Sequence, residues 1–350
     1  MKKPGEAPLV SVVIPNYNGA PLLQRCLCSL AAQTRTDFEV VLVDNASDDG
    51  SIELASRFYP QARILRLERN LGFAGGANAG LAAAWGEWVA VLNNDTEAAP
   101  DWIEGCAAAV SRHPDAAFFA CRILAMEQRE TLYSAGDCYL RAGVGYRRGH
   151  GRPDGPAYDM EITVFSPCGC AALYRRSLLK KLGGFDERLF AYLEDVELGL
   201  RMQMLGHVGY YIPQARVYHI GSATSGGEFS PMTVRLRTRN SILLLLKTVP
   251  ASILGRTVPM ILAAQTWWLL RALRHGRLAC YLRGLGEALR LTPSFYGSRR
   301  KLRGSWTQDS VCRLWQSVLA SESLARQDYF QSPPAMRSRF LGWYFGLFRL

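Results

Sequence analysis

Short apolar runs alternate with amphipathic stretches through the first half of the chain, and most runs break off in proline or polar side chains. Leu9-Val10-Ser11-Val12-Val13-Ile14 reads as a strand stopped by Pro15, and Asn16-Tyr17-Asn18-Gly19 as the turn after it. A helix follows from Pro21 to about Gln33, with Leu23, Leu27 and Leu30 at helical spacing. Residues 38–43 and 62–67 are the next strands, separated by the polar loop 44–51 and another helix. This β-α-β-α order predicts an α/β domain with a mostly parallel central sheet and helices on both faces.

The next run, Trp88-Val89-Ala90-Val91-Leu92, ends abruptly in Asn93-Asn94-Asp95. Open α/β sheets bind ligands at that edge, so this stretch organises the expected site. Asp95 suits a divalent cation, with Asn93 or Asn94 orienting water or ligand, and the same residues equally suit a turn and helix cap. Asp44, at the end of the second strand, either meets a nucleotide base or ribose or caps the turn with Ser47 and Asp48. The glycine-rich stretch 70–80 lets a ligand approach the backbone and offers helix N–H groups to a phosphate. It does not follow the first strand, where a dinucleotide fingerprint belongs.

Farther on, residues 116–123 read as a strand, and 127–160, rich in Gly, Arg and Tyr, as a mobile loop or hairpin near the substrate. Leu193, Val196 and Leu200 share one helical face, which leaves Glu194 and Asp195 off it near the helix start. Adjacent acids there can be tuned to accept a proton, or can form a solvated first turn with a Glu197–Arg201 pair behind it. Residues 208–211 and 215–218 read as two strands, and His219 after them as a structural histidine or a metal ligand.

Composition divides the chain. Residues 235–350 hold 19 Lys/Arg against 4 Asp/Glu, a net +15, so the overall +11 leaves −4 on residues 1–234. The first part is a binding or catalytic domain, and the second is a basic, mainly helical appendage that meets something anionic. Lys247, Pro250, Arg256 and Pro259 interrupt its apolar stretch, leaving less than the ~20 residues that span a bilayer. It either lies on anionic lipid as an interfacial helix or packs on the core with a solvated basic face. No nucleic-acid module is present, so no nucleic-acid partner is expected. The nine scattered cysteines lack metal spacing and no secretory leader is visible, so reduced thiols and a cytoplasmic location are expected.

Taken in order, six stretches carry a resemblance: Val12-Val13-Ile14-Pro15-Asn16-Tyr17-Asn18, residues 43–51, residues 70–78, Leu92-Asn93-Asn94-Asp95, Gly183-Gly184-Phe185-Asp186-Glu187 and Glu194-Asp195-Val196-Glu197-Leu198. Together they resemble the family 2 inverting glycosyltransferases, in the branch that includes bacterial rhamnosyltransferases. The resemblance implies a GT-A fold over residues 1–234, a nucleotide-diphosphate sugar donor (dTDP-rhamnose or a UDP-sugar) and a divalent metal, Mg²⁺ or Mn²⁺. It places Pro15, Tyr17 and Asn18 in the nucleotide pocket, Asp44 on base or ribose, and Asn70, Gly75 and Asn78 beside the diphosphate. Asn93 and Asn94 would line the donor site, Asp95 and His219 would hold the metal, and Asp195 would be the catalytic base with Glu194 its acidic neighbour. The implied acceptor is a lipid-linked or polymeric saccharide at the cytoplasmic membrane face. Asn93 replaces the first aspartate of the fuller motif, which weakens the metal site in the free enzyme and leaves a nucleotide-sugar-binding protein without transfer activity as the alternative.

Overall fold

The computed structural model describes residues 7–221 and 226–349. β1 (Val10–Asn16), α1 (Ala20–Ala31), β2 (Phe38–Asp44), α2 (Ser51–Phe58), β3 (Arg63–Arg66) and α3 (Gly72–Ala83) follow one another as the apolar pattern predicts. β4 (Trp88–Leu92), β5 (Thr96–Ala98), α4 (Trp102–Arg112) and β6 (Phe118–Ala125) come next. They lead to β7 (Leu132–Ser134), β8 (Asp137–Tyr139), β9 (Gly145–Arg147), β10 (Ile162–Thr163), β11 (Ala171–Arg175), α5 (Arg176–Lys181), α6 (Glu194–Met204) and β12 (Gly209–His219). The chain closes with α7 (Pro231–Thr248), α8 (Ala251–Arg274), α9 (Leu278–Arg303), α10 (Gln308–Gln331) and α11 (Arg339–Leu347).

The central sheet runs β10-β12-β6-β11-β4-β1-β2-β3. β1 pairs parallel with β2 and β4, β2 with β3, and β6 with β12, while β11 lies antiparallel between β4 and β6. The sheet is therefore mostly parallel, and helices cover both of its faces. Neighbouring residues show this directly: Val12 packs with Leu23 and Leu27 on one side, and Val13 with Ala74 and Ala77 on the other. Burial on both faces is why β1 and β4 are continuously apolar rather than alternating. The C-terminal ends of β1, β2, β4 and β12 open on one edge, where the candidate residues lie.

The structure refines three local readings. Residues 208–211 and 215–218 belong to one strand, β12, whose register against β6 shifts between Ile212 and Arg216. Pro213 has no N–H to give the ladder, and the irregularity absorbs it without ending the strand. Residues 127–160 form a pinned hairpin rather than a mobile loop. Arg141 is paired with the fully buried Glu322 at 2.7 Å, and Asp328 accepts the hydroxyls of Tyr146 at 2.5 Å and Tyr158 at 3.0 Å. Finally, Pro259 sits inside the continuous helix α8 and does not interrupt it.

The basic appendage shares cores with the first half of the chain. Leu244, Leu245 and Leu314 pack with Tyr139, Val196 and Leu200, and Tyr344 and Phe345 pack with Cys138 and Leu140. Residue 234, the expected domain boundary, falls within the first turn of α7. Among the described residues no helix is long and apolar enough to cross a membrane. All nine cysteines are free thiols.

Candidate active site

Loops from three parallel strands are laced together at the open edge. Asn94 Nδ2 donates to Asn16 Oδ1 at 2.7 Å, Asn16 Nδ2 donates to Ser47 Oγ at 3.3 Å, and the N–H of Asn18 donates to the same Oγ at 3.0 Å. Asn18 Oδ1 then accepts the N–H of Asp48 at 3.0 Å. The loops approach so closely that a Cβ on Gly19 would lie 2.1 Å from Asn94 Nδ2, so only glycine fits there. Pro15 does not stop β1, which continues to Asn16 in register with Asp44, and Tyr17 projects beyond the lacing, 39% exposed.

Asp95 and His219 meet although 124 positions separate them in sequence. β5, directly after Asp95, pairs with the end of β12, so that His219 stands opposite Thr96. His219 Nε2 lies 3.1 Å from Asp95 Oδ1 and 3.4 Å from Asn93 Nδ2. One ring nitrogen cannot both donate to the carboxylate and accept from the amide. A cation held between imidazole and carboxylate removes that conflict, and 3.1 Å suits two neighbouring ligands of one ion as well as a hydrogen bond. His219 Nδ1 is buried without a hydrogen-bond partner among the described residues. No third His, Cys, Asp or Glu completes a metal cluster among the described residues. The residues thus fit a cation that takes its remaining ligands from a bound phosphate.

Asp195 is joined to this corner through one short loop. Its Oδ2 accepts the N–H of Gly169 at 2.9 Å, and the adjacent Cys170 carbonyl accepts the N–H of Asn93, also at 2.9 Å. A Cβ on Gly169 would lie 3.1 Å from Asp195 Oδ2, so a side chain there would press on the carboxylate. Asp195 Oδ1 accepts the N–H of Val196 at 2.8 Å. Burial and then the charge of Asp195 lift Glu194 well above the usual carboxylate range. Burial also raises Asp195, opposed by the N–H groups of Gly169 and Val196 and by the charge of Arg147. Two adjacent acids, Glu194 buried and Asp195 half-buried, cannot both ionise easily, so Glu194 keeps its proton and Asp195 is the member that ionises.

Sequence reasoning missed the residues that link His219 to Asp195. The Arg147 guanidinium lies 4.5 Å over the Tyr133 ring, and that ring sits edge-on to His219 with centroids 4.5 Å apart. Asp137, opposite Arg147 in the β8–β9 hairpin, is buried and accepts the Ser134 hydroxyl at 2.8 Å. These side chains come from the segment that lacked periodicity, and only the repeated Arg and Tyr within it hinted at a ligand surface.

Burial and then the charge of Asp195 push Asp137 up to about 7. A carboxyl raised on folding opposes the fold when it ionises. The penalty is absent below the ordinary aspartate range, grows as pH rises and is complete above about 7. Asp137→Asn keeps an oxygen for Ser134 and removes that penalty. In chemical denaturation the variant should match the wild type at about pH 4 and exceed it above neutrality, by at most about 4 kcal/mol. A constant difference across pH would remove the assignment.

Other expected donor-site residues have structural work. Asn78, expected beside the diphosphate, instead spends its amide on the Gly184–Glu187 loop: Oδ1 accepts the N–H of Phe185, and Nδ2 donates to the Phe185 carbonyl and Glu187 Oε1, each at 2.9 Å. Asp44 is fully buried and accepts the N–H of Ser47 at 3.2 Å, the capping role. Asn70 Oδ1 accepts the N–H of Gly72 at 2.8 Å, and Gly75 lies in the first turn of α3. The Glu197–Arg201 pair is buried, not solvated: Arg201 also donates to the carbonyls of Leu182 and Gly184, each at 2.7 Å.

Comparison with known proteins agrees with this edge. Residues 11–183 match the model of glycosyl transferase family 2. The chain is 32% identical over 243 residues to the N-acetylglucosaminyl-diphospho-decaprenol L-rhamnosyltransferase of Mycobacterium tuberculosis, covering 63% of this chain and 78% of that protein. It is 30% identical over 201 residues to a PGL/p-HBAD biosynthesis glycosyltransferase of Mycobacterium bovis, covering 56% and 70% respectively. In fold it is similar to the crystal structure of GalNAc-T7 with UDP, GalNAc and Mn2+, with a TM-score of 0.56, 20% identity and coverage of 69% of this chain and 48% of that one. The S. aureus TarS 1-349 structure gives a TM-score of 0.52 at 17% identity and covers 91% of each chain. With this sheet, this laced edge and these relatives, the chain belongs to the family 2 glycosyltransferases, is similar to the rhamnosyltransferases among them, and has the GT-A fold.

Proposed function

We propose that the chain transfers a sugar, with inversion, from a nucleotide-diphosphate donor to a hydroxyl of a lipid-linked or polymeric saccharide, working peripherally at the cytoplasmic face of the membrane. The observation that carries this is the meeting of Asp95 and His219 beside a loop whose next backbone N–H holds Asp195. The rhamnosyltransferase relative supports a rhamnose donor, which we take as dTDP-rhamnose with a UDP-sugar second, and the diphospho-decaprenol in its name supports a lipid-linked acceptor. Mn2+ in the GalNAc-T7 structure supports a divalent cation.

In this reading Asp95 and His219 hold Mg²⁺ or Mn²⁺, which would supply Lewis-acid stabilisation of the departing diphosphate. Tyr17 borders the nucleotide, with Pro15 and Asn18 fixing the loop it stands on. Asn93 and Asn94 line the donor. Asp195, held by Gly169, removes the proton from the acceptor hydroxyl as that oxygen bonds to the anomeric carbon from the face opposite the breaking carbon–oxygen bond. The nucleoside diphosphate leaves with the bonding electron pair. Glu194 stays neutral and buried, which leaves Asp195 as the ionised carboxylate that can take the proton.

A panel of nucleotide sugars with and without Mn²⁺ or Mg²⁺ tests this, read by melting temperature and by mass detection of a glycosylated product. The right donor at a hundredfold excess over its Kd stabilises the chain by about 2.7 kcal/mol, and only with the cation present. Asp95→Asn is expected to lose the cation-dependent part. Stabilisation without product from any acceptor would leave a nucleotide-sugar-binding protein in place of a transferase.

A further inference from the structure

A helix packed on a domain normally turns polar residues outward. α8 and α9 turn leucines outward as well, among their exposed arginines. On α8 the outward turns carry Leu262, Leu270 and Leu273, and on α9 they carry Leu278, Leu282 and Leu289, all exposed, with Leu262 at 61% and Leu289 at 75%. The spacing from 262 to 270 to 273, and the heptad from 282 to 289, keep each set on one face. Residues 251–303, the two helices with the turn between them, hold ten Lys/Arg and one acid, Glu287, which is paired with Arg235, Arg239 and Arg283. The apolar face is thus set in uncompensated positive charge.

We propose that the α8–α9 hairpin seats this enzyme on an anionic lipid surface, leucines in the acyl boundary and arginines among the headgroups. Charge selects the occupant. A second copy of the chain would bring the same positive face against itself, which costs rather than stabilises, whereas an anionic bilayer complements it. Neither helix needs to span, since an apolar face bordered by arginine lies in the interface plane.

The hairpin tip also adjoins the catalytic loop. The Phe229 ring stacks on His275 with centroids 3.8 Å apart, and Arg277 donates to the Phe229 carbonyl at 2.9 Å. Four residues on, Thr233 hydrogen-bonds the Tyr192 hydroxyl at 2.9 Å, and Asn240 holds the Tyr192 carbonyl at 2.7 Å, immediately before Leu193 and the acid pair. A saccharide whose lipid lies under the tip is presented toward Asp195. That delivery rests on the transferase reading above, and adsorption to the bilayer does not.

Sedimentation of the full chain with vesicles tests adsorption, using phosphatidylcholine alone and phosphatidylcholine mixed with phosphatidylglycerol. The chain should bind the mixed vesicles, bind phosphatidylcholine poorly, and lose affinity as salt rises. Leu278→Gln with Leu282→Gln, and separately Arg274→Gln with Arg283→Gln, should each weaken binding about tenfold with unchanged melting temperature. Absence of binding to mixed vesicles, or variants that bind as the wild type does, would overturn the proposal. So would a dimer in solution that the leucine variants dissociate. Transfer to a water-soluble acceptor should survive in both variants while transfer to a lipid-linked acceptor falls. A chain that binds vesicles yet transfers nothing would sink the transferase reading and leave the surface standing.

Discussion

Asp195→Asn is expected to lower the rate of sugar transfer by about 10²–10⁴-fold, the usual size of a general-base contribution, while the fold and donor affinity stay close to wild type. The asparagine keeps one oxygen for the Gly169 N–H, now 2.9 Å from Asp195 Oδ2, and removes a carboxylate that burial already holds in an unfavourable ionised state. What disappears is the ability to take the hydroxyl proton. Because Asp195 is raised by burial, the wild-type rate should climb with pH and level off once Asp195 is ionised. Arg147 favours that ionised form, so Arg147→Ala should move the limb to higher pH. Initial rates across pH, with product identified by mass, read both effects. Turnover by Asp195→Asn at the wild-type rate would remove Asp195 from the chemistry.

The strands that carry this site were legible because each is buried on both faces and ends where polar residues begin. β1, β2 and β4 have that form, and the loops they feed sit at one edge by topology alone. Asp44 shows the limit of such reading. A carboxylate at a strand end suits a ribose and a cap equally, and only the 3.2 Å contact from Ser47 shows the cap in use. Asn78 shows another limit: its partners are the backbone of Phe185 and the side chain of Glu187, brought to it by a turn whose Gly183 and Gly184 both have positive φ. The β8–β9 hairpin escaped a periodicity reading because its strands are three residues long and its buried partners, Glu322 and Asp328, lie on α10. Most misleading was the charge of α7. Arg239 donates to the Leu189 carbonyl at 2.7 Å, and Asn240 to those of Leu189, Ala191 and Tyr192. They hold a loop in which Phe190, Tyr192 and Leu193 all have positive φ, a strained path that residues without glycine's freedom keep only when fastened. Net charge reports none of this, since it does not separate an arginine facing lipid from one facing a carbonyl.

Lys247→Met is expected to cost about 3 kcal/mol of stability, the low end for stripping one partner from a buried ion cluster, since each acid keeps a second cation. Lys247 Nζ lies 2.7 Å from Asp186 Oδ2 and 2.6 Å from Glu197 Oε1, and all three side chains are nearly or fully buried. Arg188 remains for Asp186 and Arg201 for Glu197, so each acid keeps one cation and loses the one that joined them. Burial pushes both carboxyls up, but Arg188 and Lys247 outweigh it at Asp186, and Arg201 and Lys247 at Glu197, so both are held below the usual range. Acids depressed on folding stabilise the fold above their ordinary pKa and lose that contribution as pH falls through the depressed value. The gap between wild type and Lys247→Met should therefore be full at neutral pH and narrow below about pH 4. Denaturant melts at the two pH values read it, and a neutral-pH melt that the substitution leaves unmoved would contradict it. Activity should fall as well, because Glu197 sits two residues after Asp195 on α6 while Lys247 comes from α7. The basic half of the chain is thus bolted to the helix that carries Asp195, and the stability of one cannot be separated from the geometry of the other.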